Sequence, residues 1–200
     1  MRYVLQALVI CLLISCSLKP IHHGVINPQV THQEAKNQAL NIVIANTIED
    51  KIVVAGGRAS TLSVYEFRTT VKDALKKIFE KDFRSVEFSE DTSKSLTLIL
   101  QNINAVWDLT GTVYHDHNGM TGADGKPVMN LTTGIYRCVI RNSAVLKYNG
   151  EIISQVTENV TEGQPNEWRA YQQDSFLKTL QLSFENFHSS ILTPQVYSKL

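Results

Sequence analysis

The period of the hydrophobic positions changes several times along this chain, and each change marks a predicted element. Residues 4–14 are apolar apart from Gln6, and 17–39 show little periodicity. A nearly continuous apolar run over 40–45 then suits a buried first strand. Residues 61–67, with Leu62, Val64 and Phe67, read as a second extended segment feeding a helix. In that helix Val71, Ala74, Leu75, Ile78 and Phe79 recur at i, i+3, i+4, i+7 and i+8, which turns one stripe toward a core. Thr70 is placed to cap it and Asp73 to meet the helix dipole in its first turn, while Lys76, Lys77 and Lys81 form a solvated face near its end. A short strand over 86–88 follows.

Residues 95–109 alternate as a strand, but the phase slips. Leu96, Leu98 and Leu100 are even, whereas Ile103, Ala105, Trp107 and Leu109 are odd. One face can hold both sets if an extra residue bulges near Gln101–Asn102, the reading favoured over a strand that crosses to a new environment. The glycine-rich stretch 114–134 reads as a long loop, either functional or mobile. Asn149–Gly150 is a strong signal for a two-residue type I′ hairpin joining strands over 135–148 and 151–161. Simple register sets Arg141 opposite Glu158 and Arg137 opposite Glu162, yet it leaves the apolar faces out of phase. That sheet therefore has two partly covered faces, or a second bulge. A closing helix over 167–192 carries Leu177, Leu180, Phe184, Phe187 and Ile191, widened by Trp168 and Phe176, and Thr193–Pro194 ends it. His188 beside this stripe reads as a partly buried structural histidine.

The apolar segment at the start is too short for a membrane span, which needs about 20 residues, and Arg2 before it makes it a secretory signal. It ends in Leu13-Ile14-Ser15-Cys16, which resembles the lipobox of bacterial lipoproteins. The resemblance implies cleavage after Ser15 and lipidation of Cys16, whose acyl chains anchor the protein at about 0.8 kcal/mol per buried methylene. Ser17, not Asp, then implies delivery to the outer membrane. The bland alternative is an ordinary secretory signal with Cys16 incidental, and Asn130-Leu131-Thr132 and Asn159-Val160-Thr161 would then be glycosylation acceptors. The division expected is a signal over 1–15, a tether over 16–38 and one domain over 39–194.

Charge adds an exclusion. Lys plus Arg and Asp plus Glu number 19 each, so no basic excess points to nucleic acid. With Cys11 in the signal and Cys16 lipidated, Cys138 has no partner for a disulfide and suits a buried apolar position. The loop holds His115-Asp116-His117, with Asp124 further on, ligand types suited to zinc. Two histidines one residue apart on an extended segment share a side, but no third ligand is fixed by spacing. A solvated polar loop is the plainer reading, with no metal or other cofactor required. Val128, Met129 and Leu131 give the loop an apolar tip that could dock on a partner.

The order of elements, Phe67-Arg68-Thr69-Thr70 with Leu75, Ile78 and Phe79, and the Leu96-Leu98-Leu100 strand together resemble small envelope lipoproteins of the YajG type over about residues 39–192. The resemblance implies an α+β fold, an antiparallel sheet with two helices on one face, and no named reaction. The stretch 114–134 departs from that pattern. Two functions follow as expectations. One is a non-catalytic lipoprotein, held by its N-terminal lipid on the periplasmic side of the outer membrane, that binds or scaffolds an envelope protein or glycolipid. The rival is a lipid-anchored metal-dependent hydrolase built on His115, Asp116 and His117.

Overall fold

The computed structural model describes residues 18–33, 35–56, 61–118, 120–121, 125–126, 128, 131–166 and 172–200. The fold is α+β. Its elements are β1 (Ile21–His22), β2 (Lys36–Ile44), β3 (Ile52–Val54), β4 (Leu62–Tyr65), α1 (Phe67–Phe79), β5 (Phe83–Phe88), β6 (Leu96–His115), β7 (Leu131–Tyr148), β8 (Glu151–Glu162), α2 (Gln172–Ile191) and α3 (Pro194–Tyr197). The main sheet has the order β5-β2-β6-β7-β8, and a small one the order β1-β4-β3.

The main sheet is mixed, which corrects the antiparallel expectation. β2 runs parallel to both β5 and β6, whereas β6, β7 and β8 are antiparallel neighbours. Between β2 and β5 the chain passes through the small sheet and α1, a long crossover that returns it in the same direction, as parallel pairs require. Apolar alternation along one strand carries no information about its neighbour's direction. The small sheet is tied to β6 where the Trp107 N–H donates to Ala55 O at 3.1 Å. A Cβ on the adjoining Gly56 would lie 1.8 Å from Trp107 O, so only glycine permits this approach.

The two long helices, α1 and α2, contribute to one core with the sheet, and Val196 and Tyr197 of α3 join it. Val71, Ala74, Leu75, Ile78 and Phe79 of α1 join Phe176, Leu180, Phe184, Phe187 and Ile191 of α2, all at most 1% exposed, over Leu40, Leu98, Leu100, Cys138 and Ile140 of the sheet. Leu177 lies only partly buried at the edge of this stripe. Thr70 is not the cap of α1, which begins earlier, at Phe67, and Asp73 therefore falls beyond the first turn. The end is instead closed from outside by Asp50, whose Oδ1 accepts from the Arg68 N–H at 3.2 Å and whose carbonyl accepts from the Phe67 N–H at 2.8 Å. Thr70 is buried and accepts from the Gly24 N–H at 2.9 Å.

That contact reveals a second correction. The segment 18–33, expected as part of a tether, is a strap laid across the domain. Ile21 and Ile26 are buried in the core, and β1 pairs with β4. The Lys77 ammonium donates to Ile26 O at 2.7 Å and Asn27 Oδ1 at 2.8 Å, so it holds the strap and is not simply a solvated cation. His22 stacks on Tyr65, and His23 lies 3.3 Å from Asp73. Isolated Ile residues among Pro and His show no period, and sequence pattern therefore could not register their burial.

The phase slips resolve as bulges. β6 shifts register against β7 between Leu100 and Asn102, where the alternation had changed, and again between Leu109 and Gly111. β7 and β8 meet at Asn149–Gly150 with φ of 51° and 88°, suiting the I′ turn, and two further shifts bring Val156, Asn159 and Thr161 onto the helical side. Arg137 still pairs with Glu162, and Arg141 with Glu158 at 3.5 Å, although neither pair is directly opposite in register. The closing helix is described from Gln172; Glu167 and Trp168 lie outside the described residues.

Candidate functional site: a projecting arm and a buried cluster

Beyond the second bulge, β6 and β7 leave the sheet. β8 last pairs with β7 at Val139, Asn166 bridges Tyr136, and Ala55 bridges β6 at Val106. The remaining rungs, from Gly111↔Ile135 to His115↔Leu131, pair only with each other among the described residues. They form a ribbon about 16 Å long at roughly 3.3 Å per residue. The stretch 114–134 is thus not all loop: Tyr114, His115, Leu131 and Gly134 are strand residues, and the connection spans 116–130. Polar and glycine content had hidden the pairing.

The arm carries apolar side chains into solvent. Tyr114 is 61% exposed, Leu131 57% and Met120 57%, with Val128 and Leu109 also exposed. Tyr114 stands opposite Thr132, and His115 opposite Leu131, so Tyr114 and Leu131 occupy different faces of the ribbon. The Val128 N–H donates to Met120 O at 3.0 Å, which joins the two sides of the tip. Of the expected docking residues, Val128 belongs to this tip, Leu131 starts β7, and Met129 lies outside the described residues. At the base, Arg137 holds Asp108 at 3.1 Å and also Glu162.

The His115-Asp116-His117 triplet divides. The rings of His115 and His117 lie 6.3 Å apart and nearly parallel, on one side as an extended segment requires. His115 Nε2 is 2.8 Å from Thr133 Oγ1. Asp116 instead accepts from the Asn118 N–H at 2.9 Å, turning its carboxylate into the local turn. Asp124 and Cys16 lie outside the described residues.

A second cluster was not found by sequence reading. Asp82, in the turn after α1, accepts through Oδ2 from both His32 Nδ1 at 3.0 Å and His188 Nε2 at 2.8 Å. Burial works to raise its pKa, but hydrogen bonds from His188 and His32, with their charges, outweigh it and hold the carboxyl below its ordinary range. The three residues are 50 and 106 positions apart and follow no shared spacing. His188 is buried, as a structural histidine would be.

Cys138 is fully buried and free, with its thiol pushed up to about 12 by burial, against a smaller opposing hydrogen bond from Thr179. Native protein at pH 8 is expected to leave a disulfide-exchange reagent unconsumed at this residue, and reaction should appear only with denaturant. Modification of Cys138 in the folded chain, mapped by mass spectrometry, would show that its strand opens.

No family model matches the chain, and no curated protein matches it. Among solved structures, the crystal structure of a Xanthomonas campestris protein of the DUF330 family is similar, with a TM-score of 0.50 and 11% identity over 92% of this chain and 100% of that one. The crystal structure of an uncharacterized protein matches with a TM-score of 0.35 and 11% identity, over 80% of this chain and 94% of that one. What this chain shares with the DUF330 protein, at that identity, is the fold.

Proposed function

We propose that this chain is a non-catalytic lipoprotein, kin to the YajG type, anchored on the periplasmic side of the outer membrane and binding or scaffolding an envelope protein or glycolipid through the β6–β7 arm. The observation that carries this reading is the arm itself. Tyr114 and Leu131 stand in solvent on the ribbon and Met120 at its tip, and among the described residues the ribbon's strands pair only with each other, which costs stability and contributes nothing to the core. Such a surface is repaid when a partner covers it.

The anchor rests on the lipobox, and the strap gives it a mechanical consequence. Cys16 is two residues before Leu18, and two residues of chain reach about 7 Å. Leu18 already packs on the core. Lipid on Cys16 would therefore hold the domain close against the bilayer, where a loose tether would let it wander. Cys16→Ser is expected to move the protein from the membrane fraction to the soluble one. Mass spectrometry of the mature N-terminus provides the decisive measurement: an unmodified terminus at another residue would end the lipoprotein reading.

A further inference from the structure

We propose that His32, Asp82 and His188 form a binding site for one divalent transition-metal ion of the zinc class. Their ligand atoms all lie within 4.8 Å of one another, and this is the one group of three such residues among the described residues. Two imidazole nitrogens and a carboxylate suit zinc and its neighbours, and three protein ligands leave a fourth position for water.

Hydrogen bonding alone leaves this cluster incomplete. The Asp82 side chain is 1% exposed, and its Oδ1 is buried with no hydrogen-bond partner among the described residues. A buried carboxylate oxygen without a donor is a costly state, and a dication bound by Asp82 would give that oxygen a partner.

The frame is already built for such an ion. The Asp82 N–H donates to Phe79 O at 3.0 Å, and its carbonyl accepts from the Lys36 N–H at 2.8 Å, so the turn is fixed on both sides. His188 lies on α2 with its ring against Phe79, centroids 5.5 Å apart. His32 is part-exposed and lines a cleft of about 200 Å³ with Lys77, Glu80 and Lys81, so one of the three ligands faces solvent. Because His32 belongs to the strap, Asp82 to the turn after α1 and His188 to α2, one ion would fasten all three.

The test uses the full chain, stripped with EDTA and given CoCl2 or ZnCl2 as the sole metal. About one ion per chain should survive gel filtration, with cobalt absorption typical of a low-coordinate site and a raised melting temperature. His32→Gln changes a part-exposed side chain outside both helices, and its fold can be checked by circular dichroism. It should weaken binding by more than the roughly 10–100-fold of an outer-shell change. His188→Gln and Asp82→Asn should act likewise, and a His115→Ala/His117→Ala double variant should bind as wild type. Absence of stoichiometric uptake, equal affinity in His32→Gln, or loss that follows His115 and His117 would each overturn the proposal.

Discussion

Phe184→Ala is expected to lower the stability of the domain by about 3–5 kcal/mol, and Leu75→Ala by about 2–5 kcal/mol. Both side chains are fully buried, one on each helix, in the single core that the helices share with the sheet. Phe184 sits in the middle of the α2 stripe, next to Ser183, whose Oγ accepts from the Asn142 amide of β7 at 2.8 Å. The polar link holds the helix in place while the aromatic ring is removed, so the void cannot easily collapse, and the loss should fall high in its range. Lys77→Ala should cost about 1 kcal/mol through its strap contacts, more than a solvated lysine would. Urea denaturation with an unchanged m-value would report these losses. Equal losses at Lys77, Leu75 and Phe184 would mean that Leu75 and Phe184 do not face the core.

The stripes of α1 and α2 were legible because a helix that buries one face must repeat its apolar residues near every 3.6 positions, and both do so. The bulge at Leu100–Asn102 was legible for a similar reason, since a strand that keeps one face buried through a slip in its period of two must accommodate an extra residue. The β8 face was not. Asn159 and Thr161 look like solvent residues, yet they face α2, where Asn159 donates to Ser183 O at 3.4 Å and Thr161 accepts from Asn186 at 3.1 Å. A polar residue satisfied by a partner across the core cannot be told from an exposed one until that partner is placed. The same limit hid the distant Asp50 cap and the Asp82 cluster. The part-buried histidines of the arm drew attention because they are one residue apart in sequence, while His32 and His188 become neighbours only through the fold.

Replacing residues 116–130 by a short Gly-Ser turn is expected to leave a cooperative domain that still attaches to membranes but has lost most of its native envelope interaction. The fold can spare the segment because His115 and Leu131 already pair across it, and a shorter connection lowers the entropy of closing the hairpin. Met120 and Val128 are exposed, so their removal takes nothing from the core. What disappears is the apolar tip, while Tyr114 and Leu131 remain on the ribbon. If the partner grips the tip, recovery of the native complex from envelopes should fall roughly tenfold or more, the loss of about 1.4 kcal/mol or above. If it grips the ribbon, Tyr114→Ser should weaken recovery and the loop replacement should not. Thermal unfolding and envelope pull-down on the same two variants separate these results. A collapsed melting transition in the loop variant would place the tip in the core, and undiminished recovery in both variants would remove the arm from the interface altogether.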